Sequence, residues 1–264
     1  MKQFIISLLV LSVFNLYGQD LLKPFNDCNI KGSITLYDYK ARKWISSDIN
    51  DSHFGTLPAS TFKIINTLIV LETRVVANEN VTIKWPGSTD TIKYGYRPEI
   101  YHDLSMKEAF KLSAGWAYVE LSKRISKDQY KRFLTNSHYG NADVSIDDPD
   151  FWNFGKLGIS PANQVEILIG VYEETLPFSK KSFAVLKEMM KEEQTSDYIL
   201  RAKTGWTRYN GQDIGWWVGY VEKKDNVYFF ATRLIKERTT VNPDFGKCRK
   251  QITKTILNQM GVLK

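Results

Sequence analysis

Alternation is the first pattern along the chain. In "GSITLYD", Ile34 and Leu36 alternate with polar neighbours, a period of two that predicts a strand. "YKAR" turns the chain back, and "KWISSD" predicts a second strand. The period then lengthens. Pro58 is tolerated near a helix start but not inside one, so a helix is expected from about Ser60. Ile64, Ile65, Leu68, Ile69, Val70 and Leu71 cover most of its circumference, which predicts burial on nearly every side. Ser105 with Glu108, and Ser126 with Gln129, match the capping-box spacing, and Ser160 before Pro161 reads as a cap and first helical residue. Ser182 is expected to open a helix that carries Phe183, Leu186, Met189 and Met190. From Leu200 the period returns to two. "LRAKTGWTR", a turn at Asn210-Gly211, "IGWWVGYVE", a turn at "KKDN" and "VYFFATRL" predict an antiparallel three-strand meander. A helix from about Lys247, with Ile252, Ile256 and Met260 on one face, closes the chain.

Strands at both ends with helices between them predict a mixed α/β (α+β) fold. Its antiparallel sheet has five or more strands, flanked by N- and C-terminal helices, with a helical region of about 60–195 inserted between the halves. One domain over residues 19–264 is expected, long enough for a substantial core.

The N-terminus changes the picture of where the protein works. Lys2, an apolar run over residues 4–14 and Gly18 have the form of a secretory signal over residues 1–18. The run is too short and too interrupted for a membrane span, so an exported, periplasmic protein without a permanent membrane anchor is expected. Export permits a disulfide between Cys28 and Cys248, although nothing in the sequence makes the two neighbours. The composition, 43% hydrophobic and 25% charged, excludes a disordered chain. The formal charge is +7, but Lys and Arg are scattered without a basic block, which argues against nucleic acid and suits a small anionic substrate. His53, His102 and His138 show no zinc spacing, and no metal is expected. Nothing in the pattern specifies an oligomeric state.

Candidate chemistry begins at "PASTFKI". Ser60 and Lys63 lie three apart, hence on one face, at the head of a helix built for a core. Backbone N–H groups at a helix start favour a developing anion. Burial disfavours an ammonium, so Lys63 should have a depressed pKa, take the proton of Ser60 or react with carbon dioxide to give a carbamate. Taken alone, Ser-x-x-Lys is more often a cap with a lysine reaching to solvent. Lys203-Thr204-Gly205 on a late strand adds a cation, a hydroxyl and a position where another backbone or a ligand approaches. Ser113, in "KLSAGWAY", adds a second hydroxyl that can relay a proton.

Ser60 with Lys63, then Ser113, then Lys203-Thr204-Gly205 is the order found in the penicillin-recognising serine enzymes. Within them the chain resembles a class D β-lactamase (an oxacillinase). The matching stretches are "PASTFKI", "YGN" at residues 139–141, "FWNFGKLGISPANQVE", "AKTGW", "GWWVGYVE" and "KCRKQI", covering nearly all of the mature chain. The resemblance implies hydrolysis of penicillins and related β-lactams through an acyl-enzyme on Ser60, with Lys63 carboxylated by carbon dioxide or bicarbonate and acting as general base. Trp152 would donate its indole N–H to the carbamate. Ser113 would pass a proton to the lactam nitrogen, helped by Lys203. Thr204, Gly205 and Arg249 would bind the substrate, and the N–H groups of Ser60 and Trp206 would form the oxyanion hole. Two other activities share the serine and lysine: a penicillin-binding DD-peptidase or transpeptidase, and a non-hydrolytic β-lactam sensor domain. A Ser-His-Asp hydrolase is disfavoured, because no G-x-S-x-G elbow occurs.

The chain departs from the family at Gly115, where an aliphatic residue usually covers the lysine. Trp116 is a candidate to fill that gap. A looser cover would admit water, favouring either a protonated Lys63 or arrival of the deacylating water. Substrate range should depend on residues 206–213 and on "YGYRPEIYHD", residues 94–103.

Overall fold

The computed structural model describes residues 20–263, so the expected signal segment lies outside the described residues. The chain folds as β1 (Lys31–Asp38), β2 (Lys43–Ser46), β3 (Thr82–Ile83), β4 (Leu104–Ser105), β5 (Lys191–Gln194), β6 (Tyr198–Tyr209), β7 (Gln212–Lys223) and β8 (Val227–Glu237), with helices between and around them. Six strands form one sheet in the order β2-β1-β8-β7-β6-β5, and β3 pairs with β4 apart from it. Antiparallel pairing of β1 with β8, from Lys31 opposite Ile235 to Asp38 opposite Tyr228, joins the two ends of the chain. β5 was not expected. "KEEQ" has no apolar alternation, because it is an edge strand whose charged side chains face water. The helical insertion therefore ends at Met190 rather than near 195.

Consecutive side chains on β7 serve different cores. Trp216 faces the larger core with Phe62, Ile65, Trp152 and Phe229. Trp217 faces the smaller one with Ile34, Phe230, Ile252 and Ile256. That second core lies under the helices Lys23–Asp27 and Phe245–Gln259. The terminal helix starts two residues before the expected Lys247, and Met260 falls just past its end. Cys28 and Cys248 are bonded, with Cα atoms 6.2 Å apart across a separation of 220 residues.

The capping boxes at Ser105 and Ser126 form as expected, and Ser160 accepts from the Asn163 N–H. The cap at Ser182 does not: Ser179 is extended, its hydroxyl accepts from Ser182 N, and the helix is Lys180–Met190. The start at Ser60 also shifts. Ala59 has a φ of 53°. The Thr61 N–H and hydroxyl both donate to Pro58 O, at 3.2 and 2.7 Å. These bonds make Ala59–Phe62 a 3-10 turn, and the α-helix Lys63–Glu72 begins only after it. Among the described residues no helix is long and apolar enough to cross a membrane.

The disulfide closes almost the whole chain, so it restricts the unfolded state strongly. Replacing both cysteines (Cys28→Ser with Cys248→Ser) should lower unfolding stability by about 2–5 kcal/mol, as read by denaturant or thermal unfolding. An unchanged midpoint would show that the crosslink contributes nothing.

Candidate active site

The turn that carries Ser60 is braced from three directions. Trp216 Nε1 donates to Leu57 O at 3.0 Å, and Gln164 Nε2 donates to Thr61 Oγ1 at 2.7 Å. β6 runs alongside so closely that a Cβ at Gly205 would lie 3.0 Å from Pro58 O and 3.2 Å from Thr61 N. The neighbour that requires glycine there is thus the serine's own backbone turn. A non-glycine residue at positive φ is uncommon and concentrates at functional sites. Here one such residue, Ala59, precedes Ser60 and another is Ser113, at 56°.

Behind this turn Lys63 is fully buried, and its Nζ donates to Ser60 Oγ at 2.9 Å. Burial is the main force on the amine and brings its pKa down from the usual 10.5 to about 8; Asp150 pulls it upward, and Arg97 pushes it down. The Tyr118 ring, 5.1 Å from Nζ, favours the cation as well. Trp152 is fully buried and stacks on Phe62 at 5.0 Å between ring centroids. Its Nε1 has no hydrogen-bond partner among the described residues.

A second lysine–serine pair faces the first. Lys203 Nζ donates to Ser113 Oγ at 2.9 Å and to Thr204 O at 3.1 Å. Burial, then the cations of Lys63 and Arg249, hold the Lys203 pKa well below its usual value. Arg249 Nη1 donates to Gly205 O at 2.7 Å, and its buried Nε makes no hydrogen bond among the described residues. Burial brings the Arg249 pKa down to about 10. Trp206 is half exposed, with Nε1 donating to Asp213 Oδ1 at 3.0 Å.

Ser60, Ser113, Thr204, Gly205, Trp206 and Arg249 line one cavity of about 530 Å³. Lys63 and Lys203 lie behind its wall and reach it through the two serines. The structure thus gathers Ser60, Lys63, Ser113, Lys203, Thr204, Gly205, Trp206 and Arg249 at one cavity, with Trp152 packed on Phe62 of the Ser60 turn. Trp116, next to Gly115, is buried and lines the same cavity, and its Nε1 donates to Ile100 O at 2.7 Å. Beyond the chain neighbours, the ring nearest Gly115 is that of Tyr94, whose Cδ1 would lie 3.8 Å from a Cβ at that position.

Tyr94 leads to a residue that the sequence did not reveal. Its hydroxyl donates to Asp150 Oδ2 at 2.6 Å, and Asn153 Nδ2 donates to Oδ1 at 2.7 Å. Asp150 is fully buried. Burial pushes its pKa up to about 6, while the bonds from Tyr94 and Asn153 and the Lys63 charge oppose that rise. In "SIDDPDFW" it stands among acids suited to a solvated loop, and its nearness to Trp152 was the one available signal.

A family model described as the penicillin binding protein transpeptidase domain matches residues 37–258. The chain is 34% identical to Beta-lactamase OXA-48 of Klebsiella pneumoniae, over 90% of this chain and 87% of that one. It is 29% identical to Regulatory protein BlaR1 of Bacillus licheniformis, over 94% of this chain but 40% of the relative. A class D β-lactamase crystal structure from Sebaldella termitidis superposes with a TM-score of 0.87 and 41% identity, covering 92% of this chain and 96% of that one.

A lysine depressed to about 8 destabilises the fold in full below that pH, where both states hold the proton. Between about 8 and 10.5 only the unfolded chain is protonated, so this contribution to stability rises with pH. In buffer purged of carbon dioxide, Lys63→Met should raise the melting temperature near neutral pH by on the order of 5 °C. The gain should shrink as the pH rises through that window. Equal gains near neutrality and at about pH 10 in scanning fluorimetry would show that Lys63 carries no such penalty.

Proposed function

This chain belongs to the class D β-lactamases, and from that premise we propose that it hydrolyses the amide of penicillins and related β-lactams through an acyl-enzyme on Ser60. The observation that carries the reading is the 2.9 Å hydrogen bond between Ser60 Oγ and a fully buried lysine. With its pKa near 8, Lys63 is neutral in roughly a tenth of molecules at neutral pH, enough to accept the Ser60 proton. Ser60 Oγ then attacks the lactam carbonyl carbon. The N–H groups of Ser60 and Trp206 stabilise the oxyanion, a contribution of about 3–4 kcal/mol per donor in comparable acyl transfers. As the C–N bond breaks, Ser113 delivers its proton to the leaving nitrogen, and Lys203 replenishes it along their 2.9 Å contact. Thr204 and Arg249 hold the substrate carboxylate, with Gly205 keeping the wall close to Ser60. Once Lys63 has passed the Ser60 proton to solvent, it takes a proton from the water that attacks the ester carbonyl carbon. That proton goes to Ser60 Oγ as the ester C–O bond breaks, Lys203 regains its proton from solvent, and the opened product leaves.

The base pocket suits a carboxylated Lys63: burial depresses the amine, and Trp152 Nε1 is a buried donor without a partner among the described residues. Carbon dioxide taken up from bicarbonate would supply an anionic base there, and Trp152 would donate to it. Export to the periplasm is supported by the Cys28–Cys248 bond, since disulfides persist in oxidising compartments. The substrate is a small molecule; neither nucleic acid nor a permanent membrane anchor enters this reading. The transpeptidase description of the family model and the likeness to a regulatory protein keep acylation without turnover as the second reading.

Purified protein should turn over benzylpenicillin, faster with added bicarbonate, and Lys63→Ala should lose about a thousandfold of the rate. Independently of turnover, labelled bicarbonate should give a carbamate carbon resonance that is absent in Lys63→Ala and needs more bicarbonate in Trp152→Phe. A stable penicilloyl adduct without turnover would move the assignment to the second reading. Turnover by Lys63→Ala equal to that of the unmodified protein would overturn the mechanism.

A further inference from the structure

The cavity at Ser60 has a one-sided charge. Lys93, Arg97, Lys111, Arg208 and Arg249 all line it, and among the described residues that line it there is no Asp or Glu. One anion, the ring carboxylate, calls for one cation, and Arg249 is already placed for it in the reading above. The surplus asks for a second negative charge on the ligand.

Most of the surplus is committed elsewhere. Lys93 pairs with Asp148 at 3.1 Å, and Lys111 donates to Lys191 O. Arg208 lies 3.7 Å from Asp213 on an exposed strand end. Arg97 differs because its position is fixed in advance. Its backbone N–H donates to Tyr101 Oη at 3.0 Å, and the Tyr101 ring stacks on Trp85 with a 5° angle between planes. At the far end, Nη2 donates to Leu112 O at 3.0 Å, next to Ser113. Among the described residues its one carboxylate partner is Glu99, through Nε at 2.9 Å. Glu99 is largely exposed and does not line the cavity, so the pair neutralises little of the charge presented inward. Nη1 makes no hydrogen bond among the described residues, which leaves an oriented N–H edge for a carboxylate. Arg97 is held on the wall that carries Ser113, whereas Arg249 is held on Gly205 of β6. The two guanidiniums also act on different lysines: Arg97 depresses Lys63, and Arg249 depresses Lys203.

We propose that Arg97 anchors a second anion subsite in this cavity, so that the protein prefers β-lactams bearing an extra carboxylate on the acyl side chain. This rests on the hydrolase reading and assigns a substrate class to the same site. The ring carboxylate goes to Thr204 and Arg249. The side-chain carboxylate goes to Arg97, with Lys93 and Lys111 raising the local potential.

Three penicillins with closely related side chains provide the test. Benzylpenicillin carries one carboxylate, carbenicillin adds a carboxylate at the side-chain α-carbon, and ampicillin places an ammonium there. Arg97→Gln removes a cation that also acts on Lys63, so the absolute rates of the variant carry a loss common to all three substrates. The ratio of kcat/KM for carbenicillin to that for benzylpenicillin cancels it. That ratio should fall about tenfold in Arg97→Gln, mostly through KM, and Arg97→Lys should restore part of it. Raising salt should lower the ratio more steeply for the unmodified protein than for Arg97→Gln. The ratio of ampicillin to benzylpenicillin should rise in the same variant. Equal losses on carbenicillin and benzylpenicillin would overturn the subsite. If the unmodified protein turns over none of the three, the hydrolase reading fails instead; the same ratio is then read from rates of Ser60 acylation by intact-mass spectrometry, and an unchanged ratio there overturns the subsite.

Discussion

The structure depends on keeping a lysine amine out of water beside a serine hydroxyl. Lys63 gains one hydrogen bond, to Ser60, and gives up its hydration entirely. Such a group is held only if the surrounding fold leaves it no path to solvent. The helix Lys63–Glu72 provides this, because eight consecutive residues from Lys63 to Val70 are buried. The sheet provides the rest. Pairing of β1 with β8 closes the chain on itself, β6 and β7 bring Gly205 and Trp216 against the Ser60 turn, and each is fixed by its register. Gly205 is opposite Trp216 across that pair, so one rung of the sheet supplies both the close approach and the bond to Leu57 O.

A second consequence concerns charge. Lys63 and Lys203 are both buried and each stands against a serine, and the Lys63 charge depresses Lys203. Two such cations in one buried region are poorly tolerated, which makes a Lys203 ammonium a ready proton donor. The positive potential of the cavity comes instead from the cations that line it, Arg97 and Arg249 among them. In the proposed mechanism the two guanidiniums that await an anion also lower the pKa of the lysines behind the serines.

The elements with strong local signals were legible in the sequence. The β6–β8 meander has period-two alternation and an Asn210-Gly211 turn, in which both residues do adopt positive φ. The capping boxes at Ser105 and Ser126 rest on spacing alone and form as read. What failed depended on partners distant in sequence. β5 is defined by its pairing with β6, not by its own pattern. The cap at Ser179 outcompeted Ser182, whose hydroxyl instead donates to Glu72. In the site, the lysine–serine pairs were readable because their order is distinctive. Asp150 was not, since an aspartate beside a proline looks like a loop until Tyr94 and Asn153 enclose it.

Tyr94 and Arg97 connect these levels. Both belong to the segment over residues 94–103, and each ties it to the catalytic region by a different contact. Tyr94 bonds to Asp150, two residues before Trp152, while Arg97 bonds to Leu112 O, next to Ser113. The two contacts also act on Lys63 in opposite directions: Asp150 raises its pKa and Arg97 lowers it. One segment therefore contributes to the cavity wall and to the balance of charge on Lys63. At Gly115, where no side chain separates them, the Tyr94 ring comes against the helix Gly115–Ser122. A Cβ there would meet the Tyr94 ring at ordinary contact distance, so a side chain at this position would pack on the ring that bonds Asp150. Under the proposed mechanism, substrate selection and activation of Ser60 are coupled through the same few contacts, so a change in this segment would alter both.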